Sequence, residues 1–254
     1  MTERLGLHAV IEDLYWRVQF ARHSGVESHE IAGTTAHFTV TNPTECKRVS
    51  ELMGEMPIIE DMLTELVADD VVYDVGANIG TYTCFLAQRL PPEQVVAFEP
   101  HPSNSGALRR NLEYNGLEAT VREQALAAKT GTTDLAVASE ASGEGAHALA
   151  TGEESKTITV PVETGDRLIE DRAPVPTILK IDVEGAEQQV LEGFTDTLSR
   201  PSCRCCYVEL HPDRLRSFGD SVAAVEATLE SYGFELKALK NRERESFVKA
   251  AKRQ

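Results

Sequence analysis

Two groups of residues have the types and spacing to do chemistry. Asp182 and Glu184 follow the apolar run 178–181, and Glu209 and His211 close the apolar run 203–210. Carboxylates and an imidazole within reach of one hydroxyl could take its proton, an effect worth about 10²–10⁴-fold in rate. Carboxylates held together raise one another's pKa, which moves a base toward neutrality. If the chain stays extended, the two-residue period puts Asp182 and Glu184 on one side. His211 is the preferred base, with Asp182 and Glu184 beside it. Glu187 reads instead as a first-turn helix charge. Lys180 stands between a structural ion pair and a place in the site. A divalent cation between Asp182 and Glu209 is weighed, since carboxylates suit Mg²⁺, but no metal ligand is assigned.

The second group is a glycine turn, Asp74-Val75-Gly76-Ala77-Asn78-Ile79-Gly80, after the apolar run 71–75. Glycine lets the backbone turn sharply and a ligand come close. A helix starting near Gly80 would aim free N–H groups at the same space. The Gly-x-x-x-Gly spacing lacks the fingerprint of a dinucleotide pyrophosphate, which argues against an NAD-dependent oxidoreductase. Glu99 ends the next apolar run, about 20 residues on, where an acid can accept two ribose hydroxyls. His101 reads as a loop histidine at the edge of that ligand.

Something must position these strand ends. From residue 70 onward, short apolar runs at 71–75, 94–98, 119–123, 178–181 and 203–210 alternate with helical patterns. Two β-rich stretches, 133–138 and 156–163, flank a Gly, Ser and Glu loop and suggest a hairpin insertion. A closing hairpin is expected from 234–239 and 246–250. Such alternation argues for an α/β fold with a mostly parallel sheet and helices on both faces. Ligands then bind at the carboxyl ends of the strands. Residues 1–68 read as a mostly helical extension, with Leu7, Ile11, Leu14 and Val18 as one apolar stripe. It should also hold a strand at 36–40 and helices near 43–53 and 58–67 that start at Pro43 and Pro57. The extension is a packing segment, a cap or a dimer contact, so a homo-oligomer stays open, and residues 69–254 form the main domain.

The glycine turn and Glu99 together resemble the class I methyltransferases. The run Lys180-Ile181-Asp182-Val183-Glu184-Gly185-Ala186-Glu187, with Val190-Leu191-Glu192-Gly193, Phe98-Glu99-Pro100 and Asn111-Leu112-Glu113-Tyr114-Asn115, resembles the FkbM family over about residues 70–212. The resemblance implies a Rossmann-like, mostly parallel seven-stranded sheet and S-adenosyl-L-methionine as cofactor. It implies that Asp74 and the turn through Gly76, Ala77, Asn78 and Gly80 hold the methionine portion. Glu99, next to Pro100, would take the ribose hydroxyls, and Glu123, Gln124 and Ala125 would border the adenine. Asp182 would lie near the sulfonium. Thr164-Gly165-Asp166-Arg167-Leu168 departs from the family's usual Leu-Asp-Asp-Leu, which removes that segment from any substrate argument. The expected activity is O-methylation of a small molecule or glycan. The alternatives are an RNA methyltransferase and a non-catalytic scaffold.

Composition narrows the field. The chain has 254 residues, with 41 acidic against 25 basic side chains and a formal charge of −16. That sign repels nucleic-acid phosphates and acidic membranes. The Asn-Pro-Pro-Tyr and Asp-Pro-Pro-Tyr signatures of base-amino methylation are missing. No apolar run reaches the length of about 18 residues needed to insert in a membrane, and the first ten residues do not read as a secretory signal. Cys46, Cys84, Cys203, Cys205 and Cys206 do not form a disulfide framework, so core thiols and a reducing cytoplasm are expected.

Overall fold

A computed structural model of the protein describes residues 2–137, 141–144, 147–150, 156–241 and 246–253, with backbone alone for 2–10 and 241. The chain opens with helix α1 (Thr2–Ala21), a hairpin of β1 (Val26–Ile31) and β2 (Thr34–Thr39), and helices α2 (Pro43–Glu51) and α3 (Met56–Glu65). The two prolines do start these helices, and Asn42 caps α2 by accepting from the Glu45 N–H. The apolar stripe of α1 is corrected. Ile11, Leu14 and Val18 are 59%, 61% and 40% exposed, whereas Trp16 and Phe20 pack against the core. The larger aromatic side chains have more apolar area to bury, so they decide which face turns inward. Strand β1 is an addition to the expected strand at 36–40. Its turn, Ala32-Gly33, has positive φ at both residues, as a two-residue hairpin requires, but without the Asn-Gly pair that would announce it.

The main layer follows. Strand β3 (Val72–Val75) leads into α4 (Thr81–Leu86), β4 (Val95–Phe98), α5 (Pro102–Tyr114) and β5 (Thr120–Arg122). Next come β6 (Ala125–Leu126), β7 (Gly131–Ala136), β8 (Ala148–Leu149), β9 (Thr157–Glu163) and α6 (Gly165–Glu170). The chain continues through β10 (Ile178–Ile181), α7 (Glu187–Glu192), α8 (Thr195–Ser199), β11 (Cys205–Leu210) and α9 (Pro212–Ser217). It closes with α10 (Val222–Ser231), β12 (Phe234–Asn241) and β13 (Ser246–Lys252).

Seven strands form one sheet in the order β12-β13-β11-β10-β3-β4-β5. β11, β10, β3, β4 and β5 run parallel, and β13 is antiparallel to both of its neighbours. The α/β, seven-stranded expectation holds, with the sheet mixed through β13. Alternate residues feed two cores. Val72, Val95, Ile178 and Cys205 face a core shared with Phe38, Val49, Ile58 and Phe85. Tyr73, Val96, Leu179 and Cys206 face the other, with Val190, Leu198 and Leu229. Cys205 and Cys206 therefore point to opposite faces, as adjacent strand residues must. All five cysteines are free and buried.

The insertion pairs β7 with β9 as expected and adds β6 and β8 to a second, four-stranded sheet. Much of its expected loop, at 138–140, 145–146 and 151–155, lies outside the described residues. Among the described residues no helix is long and apolar enough to cross a membrane.

Asn111 of α5 and Asn115 at its C-cap dock the N-terminal hairpin. The Asn115 side chain accepts from the His37 N–H at 2.8 Å and donates to the His37 carbonyl at 2.6 Å. Asn111 accepts from the Thr39 N–H at 2.9 Å and donates to the Ile79 carbonyl at 2.9 Å. The same edge of β2 seats Phe38 against Phe85, with ring centroids 6.1 Å apart. Phe38→Ala is expected to cost about 3–5 kcal/mol, read as a lower urea midpoint. Because residues 1–68 share a core with the sheet, the loss should appear in one cooperative transition, and a separate early transition would contradict the shared core.

Candidate active site

The carboxyl ends of β3, β4, β10 and β11 open into a cavity of about 410 Å³. Its floor is set by a close approach. Gly76 has φ +79°, and a Cβ there would lie 1.8 Å from the Asp182 carbonyl oxygen. Glycine is required here so that the turn after β3 can lie against the end of β10. The turn's amides are spent internally. The Gly76 and Ala77 N–H groups both donate to the Phe98 carbonyl, Asn78 N–H donates to Glu99, and Gly80 N–H donates to the Ala77 carbonyl. What the turn offers the cavity is the bare Gly76 backbone and the side chain of Asn78, whose buried Oδ1 has no hydrogen-bond partner.

Asp74 lies beneath the floor, fully buried. It accepts from the Thr83 hydroxyl at 2.6 Å and faces the Lys180 ammonium at 3.1 Å. Lys180 also donates to the Gly76 carbonyl at 3.0 Å and lies 3.6 Å from Asp182. Burial disfavours the Lys180 charge, but Asp74 and Asp182 outweigh it and raise its pKa. The structural side of the sequence reading of Lys180 therefore prevails. Ala77 and Gly80 shape the turn, and Gly80 stands at the N-cap of α4.

Glu99 lines the cavity and is buried. Its two oxygens accept the N–H groups of Asn78 and His101, each at 2.8 Å, and keep further lone pairs free. Burial pushes its pKa up to about 7 against the pull of those bonds and Lys180. Pro100, Gln124 and Ala125 continue this wall, and the Gln124 Nε2 is buried with no hydrogen-bond partner. Glu123 turns away and pairs with Arg109 at the surface. His101 is not a loop-surface residue. It is buried and stacked on His147, with ring centroids 4.1 Å apart.

The opposite wall holds Asp182, Glu184, Glu209 and His211. Asp182 and Glu184 do meet in one space, but not through strand periodicity. Strand β10 stops at Ile181, and Glu184 sits at φ +54° in a left-handed turn. Next to it a Gly185 Cβ would lie 2.7 Å from the Arg214 Cβ. The turn throws Glu184 back toward His211, with its Oε2 3.7 Å from Nε2, and Asp182 Oδ1 is 3.9 Å from the same nitrogen. Glu187 keeps its expected place in the first turn of a helix and adds a contact with His211. It begins α7, but it is fully buried, and its Oε1 accepts from Gly185 N–H at 2.9 Å and lies 2.8 Å from His211 Nδ1. A carboxylate facing the ring can only accept, so Nδ1 carries a proton and Nε2 faces the cavity.

Burial disfavours the imidazolium, but Glu187, Asp182 and Glu184 outweigh it and push the His211 pKa up to about 10. The ring therefore serves as a base only when positive charge enters among its carboxylates. Burial, joined by Asp182, raises Glu184 to about 7 and Glu209 to about 8. Burial also works against the Asp182 charge, but Lys180 and His211 prevail and lower its pKa.

Sequence reasoning missed other walls of the cavity. Arg48 and Glu55 arrive from the N-terminal segment and pair at 3.2 Å. Leu135, His147, Ala148 and Leu149 arrive from the insertion. The Glu144 carbonyl accepts from Asn78 and Asn104, which anchors that segment over the turn. These residues carry no local motif, because only the packing of distant elements brings them here.

The family model for the methyltransferase FkbM domain matches residues 74–236. The hexuronic acid methyltransferase AglP of Haloferax volcanii is 33% identical over 183 residues, 72% of this chain and 73% of that protein. The 31-O-demethyl-FK506 methyltransferase FkbM of Streptomyces tacrolimicus is 30% identical over 201 residues, 67% of this chain and 74% of that protein. A crystal structure of methyltransferase FkbM from Methylobacillus flagellatus aligns with a TM-score of 0.53 at 15% identity, a likeness of fold. The alignment covers 82% of this chain and 54% of that one, so the chain spans about half its length.

The buried acids and the ring give stability one sign with pH. Glu99, Glu184 and Glu209 titrate in the fold at about 7, 7 and 8, above the ordinary 4.5, and His211 at about 10, above the ordinary 6.5. Each keeps a proton that the unfolded chain has released, so stability falls as pH rises through these windows. The urea midpoint is expected to decline from about pH 5 to about pH 10, and Glu209→Gln to flatten the part of the decline below about pH 8. A flat wild-type profile would contradict this burial of charge.

Proposed function

The chain belongs to the FkbM methyltransferase family, and from that membership we propose an enzyme that moves the methyl group of S-adenosyl-L-methionine to an oxygen of a small molecule or glycan. One observation carries the reading. A single cavity has Glu99, with the unpartnered polar atoms of Asn78 and Gln124, on one wall and Asp182, Glu184 and His211 on the other. These residues fit the cofactor, since the buried polar atoms lack partners that a ribose and a base can supply.

When bound, S-adenosyl-L-methionine supplies an electrophilic methyl carbon on a sulfonium. In this reading Glu99 takes the ribose hydroxyls with the lone pairs left by Asn78 and His101. Pro100, Gln124 and Ala125 border the adenine, and Glu123 supports that wall from outside. Gly76, Ala77, Asn78 and Gly80, braced by Asp74 below, shape the methionine end. Asp182 faces the sulfonium. The acceptor hydroxyl would meet Asp182, Glu184 and His211 and give its proton to that cluster, and the bound cofactor would supply the methyl group and leave as S-adenosylhomocysteine, with positioning supplying most of the rate. The relatives' names put one enzyme on a hexuronic acid and the other on an O-demethyl compound, which supports an oxygen acceptor.

We read residues 1–68 as a cap on the domain of residues 69–254, supported by Arg48 and Glu55 in the cavity wall. Five free thiols support a cytoplasmic setting.

Glu99→Ala should weaken S-adenosylhomocysteine binding by about 1–3 kcal/mol in calorimetry, and unchanged affinity would remove Glu99 from the ribose. His211→Ala should lower turnover by about 10²-fold or more while that affinity holds. The readout is labelled-methyl transfer to acceptors in cell extract, followed by mass spectrometry of the product. Wild-type turnover in this variant would exclude His211 from the chemistry.

A further inference from the structure

Asp182, Glu184 and His211 each present one ligand atom, and the three atoms lie within 4.8 Å of one another. The His211 Nε2 stands 3.9 Å from Asp182 Oδ1 and 3.7 Å from Glu184 Oε2. Both separations are too long for hydrogen bonds. Donors about 2.1 Å from a shared ion lie about 3.0 Å apart at a right angle and about 3.4 Å apart at the tetrahedral angle, so a closure of a few tenths of an ångström would seat an ion here. The ring is prepared for that role. Its Nδ1 is held at 2.8 Å by Glu187, a fully buried carboxylate. Metal-bound histidines characteristically make such a bond through their other nitrogen. Arg214 holds the Glu184 Oε2 at 2.9 Å from the solvent side and so fixes its direction.

A second, independent feature points to the same space. Glu209 is 6% exposed and lines the cavity beside Asp182 and His211, and among the described residues its side chain makes no direct hydrogen bond or ion pair. A buried carboxylate without a partner is costly unless a positive charge meets it. Two of the nearby cations are held by other acids. Arg48 pairs with Glu55, and Lys180 lies under the floor with Asp74.

We infer that Asp182, Glu184 and His211 form a binding site for one divalent transition-metal cation at the acceptor side of the cavity. The imidazole ligand favours a Mn²⁺-, Fe²⁺- or Zn²⁺-type ion over Mg²⁺ or Ca²⁺, which prefer all-oxygen sites. Three protein ligands leave positions open toward the cavity, the arrangement of catalytic rather than structural metal sites. The ion would meet the charge of Glu209 and offer an acceptor oxygen a fixed point of attachment. The inference rests on the methyltransferase reading for that last step alone, since cation binding is a property of these residues.

The test titrates Mn²⁺ into the full-length protein and follows the free ion by room-temperature electron paramagnetic resonance, with S-adenosylhomocysteine calorimetry on the same samples. One Mn²⁺ per chain should leave the free signal. Asp182→Asn and His211→Gln should each weaken binding at least about tenfold, and Glu187→Gln, which touches no ion, about 10–100-fold. Retained S-adenosylhomocysteine binding and an unchanged circular dichroism spectrum in Glu187→Gln exclude misfolding as the cause. A free Mn²⁺ signal that the wild-type protein leaves undiminished would overturn the site, as would equal affinity in wild type and His211→Gln. Mn²⁺ binding without S-adenosylhomocysteine binding would support the site while refuting the cofactor reading. The converse would refute the site and leave the cofactor reading standing.

Discussion

The ammonium of Lys180 lies where water does not reach it, held by Asp74 at 3.1 Å, the Gly76 carbonyl at 3.0 Å and Asp182 at 3.6 Å. The Tyr82 ring covers it from one side at 4.9 Å. A charge so placed is tolerable only while its partners stay in position, and removing one partner of such a pair costs about 3–5 kcal/mol. The arrangement therefore locks the turn after β3 to the end of β10. Gly76 makes the lock geometrically feasible, since no side chain fits between its backbone and the Asp182 carbonyl. Everything that lines the cavity from above, Glu99 on one wall and Asp182 on the other, takes its position from this joint.

Above the joint the charge is unevenly distributed. Glu55, Glu99, Asp182, Glu184 and Glu209 face a cavity whose lining also holds Arg48, His211 and Lys240 as opposing charges. Burial raises Glu99, Glu184 and Glu209, so these side chains hold protons that a cationic guest would displace. A sulfonium is such a guest. The electrostatics of the acceptor wall would therefore suit the positively charged methyl donor proposed for this family member. His211 belongs to the same balance, because its basicity depends on how much positive charge its three carboxylates already hold.

The N-terminal segment belongs to this machinery. Glu45 of α2 is fully buried and accepts from Thr41, Ser142 and Arg110, which ties α2 to α5 and to the insertion. Asn111 and Asn115 bind the edge of β2 much as a neighbouring strand would. In this chain Asn111 and Asn115 dock the hairpin, a role that the sequence run alone could not disclose. Through these contacts Arg48 and Glu55 reach the cavity from a part of the chain that carries no motif of its own.

The legible part of this protein was the local part. Alternating buried strands and helices followed from runs such as Val-Tyr-Asp-Val and Ile-Leu-Lys-Ile, whose apolar content and length report burial on both faces. The family followed from contiguous motifs, and Glu99 and Asp182 from their places just past strand ends. Hairpin β1–β2 and the inward face of α1 were not legible, since an Ala-Gly turn gives a weak signal and packing chose Trp16 and Phe20 over the regular stripe. The sequence by itself determined which residues end the strands, because strand formation depends on neighbours in the chain. Only the tertiary structure decided that Glu187 holds His211 from 24 residues away and that a left-handed turn brings Glu184 to the same ring. It alone decided, too, that Arg48 closes the far wall. Those outcomes depend on which surfaces pack together, and packing is settled by the whole core at once.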